Sequence, residues 1–552
     1  TPCAGEYVVA PRALVVLRQP LDPTAARAAA GAPARVIKKE AQRRRRRAGI
    51  TIPLFSIRSS GGWGLGEIPD LPPFATWAGR AGFSVLQLLP VNAVNDVDPS
   101  PYAASSAFAL DPTYLSLEAC EDFAAAGGRE ALPDGLGGRI DEVKRSEVVD
   151  WRTVRALKRA GIALAFGRFL RDEWRRQSPR AQHLSAFIRA NRSWLDDHCL
   201  FTVLHAEQRR SWLDWPARLR DRDPGAIAEA RRTRGDEMLQ AQWVQWQLDL
   251  QWRRARREAS LAGVELMGDL PFVVGFDSAD VWANRTLFKL DRRLGAPPDD
   301  AFPEGQDWAL PVYDWPAMAR DDFSWIRARA TRAGQLFSLL RVDHALGFYR
   351  TYSRSRDGQV SGFAPGDEWD QIQLGEKLMR IMSRFEEVVA EDLGPAPPYL
   401  RPSLERVGVP GYRVLRWERE GEGYRDPTGW PAMSVATNGT HDTTTTAVWY
   451  DELAPDEREQ LRRLPLLAGL DPAQPFDDRA RDLLLAALYA APSTLALIPF
   501  QDAMGTRERI NVPGTVNETN WRYRAARAID DLSADRADIE RLQKLAAEAG
   551  RL

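Results

Sequence analysis

Eight short apolar runs, each bounded by glycine, proline or aspartate, recur between residues 50 and 498, most of them separated by helix-length segments. They occupy 50–55, 85–89, 264–268, 338–342, 388–390, 412–415, 434–436 and 494–498. Runs this short and this uniformly apolar read as strands buried on both faces of a parallel sheet. Parallel neighbours need a crossover connection, and eight strands joined by helices close into a barrel. The fold class expected is α/β, a (β/α)8 TIM barrel with large, mainly helical insertions. The chain has 552 residues. Such barrels run from about 250 residues to more than 400 with insertions.

Uneven spacing locates the insertions. The stretch between the second and third runs is mostly arginine-rich amphipathic helix, clearest at 151–177, 181–194 and 236–259, so 120–260 is expected as a helical subdomain. Within the last of these, Leu239, Trp243, Trp246 and Leu250 form a stripe at three- and four-residue spacing, which argues for packing. The same reading covers most of the 19 tryptophans, although indole faces also stack on pyranose rings. Residues 295–315 are rich in proline and aspartate and read as a long loop over the site. The expected organisation is an arm at 1–48, a catalytic barrel at 49–535 and a C-terminal helix at 536–552. The arginine run 43–47 at the end of the arm reads as solvated surface.

Charge narrows the partner. The 75 Lys and Arg nearly balance the 76 Asp and Glu, leaving −1. A near-neutral chain gives no electrostatic reason to bind nucleic acid or an anionic membrane, and a neutral substrate fits better. The apolar stretch 7–17 is broken by Pro11 and Arg12 and makes a poor signal peptide. Three widely spaced cysteines, Cys3, Cys120 and Cys199, form neither a disulfide framework nor a metal-ligand spacing. A cytoplasmic protein is expected. No cofactor fingerprint or metal cluster is legible, so no cofactor is expected, and the oligomeric state cannot be read.

Active sites of such barrels lie at the C-terminal ends of the strands. Four runs end in carboxylates: the third in Asp269, the fourth in Asp343, the fifth in Glu391, and the seventh leads to Asp442. Paired carboxyl groups across a glycosidic bond are what glycoside chemistry requires, one to donate a proton and one to attack or to activate water. The motifs Arg341-Val342-Asp343-His344, Ala390-Glu391-Asp392-Leu393-Gly394 and Gly439-Thr440-His441-Asp442 resemble, in this order, those of amylomaltases, the disproportionating 4-α-glucanotransferases. So do Trp63-Gly64-Leu65-Gly66-Glu67, Ser100-Pro101-Tyr102, Gly268-Asp269-Leu270-Pro271, Gly305-Gln306-Asp307-Trp308, Asn511-Val512-Pro513-Gly514 and Asn520-Trp521. The resemblance covers about 49–524.

It implies an enzyme that moves segments of α-1,4-glucans, such as maltooligosaccharides, starch or glycogen chains, between acceptors with retention. Asp343 is then the expected nucleophile, Glu391 the acid and base, and Asp442 the residue that holds sugar hydroxyls and distorts the ring. Arg341 shares a strand face with Asp343 and keeps it ionised. His344 and His441 are expected as neutral donors, Tyr102 and Trp308 as stacking aromatics, and Ser100 and Asn520 as further binding residues. Asp269 could contact sugar or order Arg341. Asp392 should point away. The chain departs from the usual pattern at Asp300-Ala301, where many members carry an aromatic, and at Ala309, where glycine is usual. A hydrolase with the same carboxylates is the nearest alternative. A non-catalytic glucan-binding protein is the alternative of another class, and its expected mark is the loss of Asp343 or Glu391.

Overall fold

The first strand, β1 (Arg47–Thr51), begins inside the arginine run that reads from the sequence as surface. Its first side chain is buried because it meets two partners: Arg47 pairs with Glu265 at 3.3 Å and with Glu387, at the feet of two other strands. The computed structural model describes residues 45–552, apart from 97–98, 299–302, 359–360, 385–386 and 516. Most of the expected arm, with Cys3, lies outside the described residues, as does the Asp300-Ala301 departure.

The remaining barrel strands are β2 (Val85–Gln87), β3 (Glu265–Leu270), β4 (Leu339–Val342), β5 (Glu387–Ala390), β6 (Gly411–Val414), β7 (Ser434–Thr437) and β8 (Leu495–Pro499). All overlap the expected runs. They close as a parallel barrel in the order β1-β8-β7-β6-β5-β4-β3-β2. Val85, Met267, Leu339, Val389, Tyr412, Val414, Val435, Leu495 and Leu497 fill its interior as a separate apolar cluster. Inward positions alternate along each strand. Met267 is therefore followed on the inner face by Asp269, Leu339 by Arg341, and Val389 by Glu391. The polar layer stands directly on the apolar one.

Helices α1 (Leu71–Arg80), α2 (Gly235–Leu261), α3 (Ser324–Leu336), α4 (Glu368–Met382), α5 (Leu400–Val407), α6 (Asp478–Ala490) and α7 (Arg536–Glu548) line the outside. Between β6 and β7 a small hairpin (Arg419–Glu420 with Gly423–Tyr424) and a 3-10 turn (Pro427–Gly429) take the place of a helix. Two helices tie the insertion and the C-terminal segment to the barrel. Helix α2, expected in the insertion, packs against the inserted helix Pro179–Gln208 and also along α1 and β3, and Trp252 donates its indole N–H to the Leu336 carbonyl at 2.8 Å. Trp243 and Trp246 of its stripe pack against Phe166 and Phe169 of the inserted helix Trp151–Phe169, while Leu250 is exposed. Helix α7, expected as the C-terminal helix, packs between α6 and α1 and completes the helical ring. Beyond it the buried Arg551 donates to the carbonyls of Tyr489, Ala491, Ser493 and Arg47 at 2.5–3.0 Å, fastening that end to the foot of the barrel. The inserted subdomain itself is built from the helices Trp151–Phe169, Pro179–Gln208 and Pro224–Thr233.

The segment 295–315 is not a plain loop. Phe288–Ala296 and Gln306–Tyr313 pair as an antiparallel hairpin, and Thr351–Ser355 and Ser361–Ala364 extend it to a four-stranded sheet. This sheet grows out of the connections after β3 and β4. No helix among the described residues is long and apolar enough to cross a membrane.

Candidate active site

Arg341 is the hub of the polar layer. One guanidinium nitrogen donates to both oxygens of Asp269, at 2.7 and 2.8 Å, and to Asp343 at 2.7 Å. Register explains the first contact, because Asp269 on β3 lies beside Arg341 on β4. The side chains of Arg341 and Asp269 are buried at 5% and 0% exposure, whereas Asp343 keeps 22% and is open to a ligand. Burial alone would lower the Arg341 pKa, but Asp269 and then Asp343 outweigh it and hold the group protonated. Of the two readings left open for Asp269, the geometry gives the ordering of Arg341. Asp269 also accepts from the Tyr102 hydroxyl at 2.7 Å. Burial, reinforced by Asp269, keeps that phenol far above its ordinary pKa and therefore a neutral donor.

Glu391 follows β5, and its carboxyl is held by backbone. It accepts from the N–H of His344 at 2.8 Å and of Leu393 at 2.9 Å. His344 can aim its N–H this way because its backbone is left-handed, with φ of 43°, an uncommon conformation for a residue with a Cβ. The residue after Asp343 is thus bonded to the carboxyl of Glu391, which fixes the two acids relative to each other. Burial pushes Glu391 up to about 7; Arg341 opposes that, Asp343 adds to it, and the two N–H groups oppose it. A carboxyl in this position is partly protonated at neutral pH and can serve in turn as acid and base. Its neighbour Asp392 faces away, buried, and accepts from Tyr412 N–H at 2.6 Å and from Arg401 at 3.1 Å. Gly411 makes room for it, since a Cβ there would stand 2.5 Å from an Asp392 oxygen.

Asp442 sits on the loop after β7 with 40% of its side chain exposed. Asn511 donates to its carboxylate at 2.6 Å, and Arg509 donates to its backbone carbonyl at 2.5 Å. Its neighbour His441 stacks on Tyr102 with ring centroids 5.0 Å apart, and Trp521 leans on both at 5.8 Å. On the other side, Trp308 on the overlying sheet meets His344 edge to face at 5.0 Å, and Phe272 meets the same imidazole at 5.5 Å. Burial lowers the His344 pKa, so its ring is neutral. Ser100 lies in the turn leading to Tyr102, whose N–H reaches its hydroxyl at 3.4 Å.

The structure therefore gathers Asp269, Arg341, Asp343, His344, Glu391, His441, Asp442, Tyr102 and Trp308 on one rim, with Ser100 beside Tyr102. Asn520 is the exception. It is buried, and its side-chain amide is bonded to Val512 and Thr515, so it shapes the 512–515 turn instead of offering a group to a ligand. Sequence reasoning gave no role to Asn511, Trp521, Phe272 or Arg509. Asn511 and Trp521 lay within motifs that could have pointed to them, whereas a single arginine carries no such signal. Among the described residues no group of three or more His, Cys, Asp or Glu is placed to hold a metal ion.

Comparison with known proteins agrees with this geometry. A family model described as 4-alpha-glucanotransferase matches residues 52–529. A 4-alpha-glucanotransferase of Chlamydia pneumoniae is 30% identical over 510 residues, covering 88% of this chain and 92% of its own length. One from Thermus thermophilus is 32% identical over 486 residues, covering 84% and 92%. Among solved structures, an amylomaltase from Streptococcus agalactiae in complex with acarbose superposes with a TM-score of 0.78 at 23% identity, over 92% of this chain and 99% of that one.

Proposed function

Because the chain belongs to the 4-alpha-glucanotransferase family and is an enzyme of that activity, we propose that it works by double displacement through a covalent glycosyl-aspartate. The donor is an α-1,4-glucan, a maltooligosaccharide or a starch or glycogen chain. In the first step the Asp343 carboxylate attacks the anomeric carbon. The bond to the leaving glucan breaks, and Glu391 gives its proton to the departing oxygen. In the second step the Glu391 carboxylate takes the proton of an acceptor 4-hydroxyl, whose oxygen attacks the same carbon and releases Asp343. Two inversions leave the α configuration retained.

The observation that carries this reading is the asymmetry between the two acids. Asp343 shares the Arg341 cation and is held as a nucleophile, while Glu391 is pushed up to about 7 by burial. Of two carboxyls in one site, the one raised by burial suits the acid and the one bonded to a cation suits the nucleophile. Asp442, fixed by Asn511, holds hydroxyls of the reacting glucose and favours its distortion toward the oxocarbenium-like transition state. Tyr102 and Trp308 stack on sugar faces. The sheet bearing Trp308 supports transfer over hydrolysis, because a covered acceptor site positions a hydroxyl and keeps water out.

Incubation with pure maltotriose tests the reading. A ladder of longer maltooligosaccharides with released glucose is expected, and Asp343→Asn should abolish it with the fold intact. Glucose and maltose alone would make the enzyme a hydrolase, and full activity in Asp343→Asn would remove the covalent step.

A further inference from the structure

Most of the 19 tryptophans are buried or half-buried. Only Trp369 and Trp417 stand among the exposed large hydrophobic residues, at 68% and 52%. Both belong to the catalytic rim. Trp417 follows β6, and its N–H is bonded to the Val414 carbonyl at 2.9 Å. Trp369 lies in the first turn of α4, a helix that starts at the strand C-terminal end because it runs back along the barrel. Its ring has no aromatic or cation partner among the described residues, so packing does not account for it.

Its mount is rigid. Asp367 caps α4 and accepts from the N–H groups of Trp369 at 2.9 Å and Asp370 at 3.3 Å. Gln371, buried at 4% exposure, donates to the carbonyls of Pro365 and Gly366 at 2.9 and 3.4 Å. The same side chain accepts from the Tyr399 hydroxyl at 2.5 Å. Tyr399 belongs to the connection after β5, the strand that ends in Glu391. One buried amide thus ties the base of Trp369 to the connection that carries the acid and base. These contacts fix the backbone that carries Trp369, and a tryptophan ring then has only two side-chain torsions to order on binding.

Position defines what that face meets. Glu391 must reach the glycosidic oxygen on the leaving-group side and then the acceptor hydroxyl on that same side. The start of α4 lies in the connection between β4, which leads to Asp343, and β5, which leads to Glu391, and its bond to Tyr399 ties it to the β5 side, the side of the leaving and incoming chains. We propose that Trp369 is a stacking platform for a glucosyl unit of the leaving or acceptor chain, several units away from the reacting bond. This rests on the transferase mechanism proposed above and specifies which chains it prefers.

The test compares wild type, Trp369→Ala and Trp369→Phe with maltotriose and with maltoheptaose, each as sole substrate, followed by glucose release. On this proposal a short chain does not reach the platform and a long one does. The ratio of kcat/KM for maltoheptaose to that for maltotriose is expected to fall about fivefold in Trp369→Ala, the scale of one aromatic contact. Trp369→Phe should recover most of it. A ratio equal to wild type in Trp369→Ala overturns the proposal, including the case where both substrates lose equally and the melting temperature drops, which marks a structural role. Failure of the transferase reading looks different, because wild type itself would then form no ladder.

Discussion

Replacing Glu391 by glutamine should change stability with opposite signs at low and high pH. In the folded enzyme burial pushes Glu391 from 4.5 up to about 7. Below pH 4.5 the group is protonated in both folded and unfolded chains and does not affect the balance. Between 4.5 and 7 the unfolded chain ionises first, so the native state loses stability as pH rises. Above 7 the loss is complete. A rise of 2.5 pH units in pKa amounts to about 3 kcal/mol. Glutamine carries no such burden. It does surrender one of the two acceptor oxygens that now meet His344 N–H and Leu393 N–H, at a cost of about 1 kcal/mol. Glu391→Gln should then be about 1 kcal/mol less stable than wild type at pH 4.5 and about 2 kcal/mol more stable at pH 8.5. For a chain of this size the swing is roughly 3 °C in melting temperature. Thermal unfolding of both proteins across that range, followed by scanning calorimetry, measures it. A difference that stays flat from pH 4.5 to 8.5 would refute the argument, because Glu391 would then titrate as an ordinary carboxylate. The same group sets the alkaline limb of kcat/KM, which should fall through a pKa of about 7 as the acid is lost.

Asn511→Ala removes the shortest side-chain contact of the Asp442 carboxylate, leaving His441 Nε2 at 3.4 Å. It should lower kcat/KM about tenfold, the scale of a hydrogen bond to a charged group, with circular dichroism unchanged. Arg551→Ala strips a donor from four buried carbonyls at the far end of the barrel. It should cost roughly 3 kcal/mol or more, seen as a drop of about 3 °C in melting temperature, with kcat at 25 °C unchanged.

The barrel was legible because its strands are apolar on both faces and punctuated by turn residues, a pattern that depends only on local sequence. The carboxylates were legible because each closes one of those strands. What was not legible depended on partners distant in the chain. Gln306–Tyr313 reads as loop, since its outer half is polar and Pro311 interrupts it; it becomes a strand by pairing with Phe288–Ala296. Arg47 reads as surface until Glu265 and Glu387 are known to stand beside it. Helix α2 reads as part of the insertion because its length and arginine content match the helices before it, and it does pack on the inserted helix Pro179–Gln208; its second face, against α1 and β3, could not be read. Asn520 illustrates the converse. Its motif points to the site, yet its own hydrogen bonds are spent on a turn.

Closing the barrel also sets a timetable for synthesis. Strand β1 is flanked by β2, made soon afterwards, and by β8, with Arg47 opposite Leu495. The guanidinium that bonds the Arg47 carbonyl lies 504 residues further along. At 5–20 residues per second a ribosome needs roughly half a minute or more to cover that distance. For most of that interval, until β8 is made, β1 presents an unpaired edge, the feature that invites pairing with another chain. The nascent sheet must therefore stay unpaired with other chains until β8 is made.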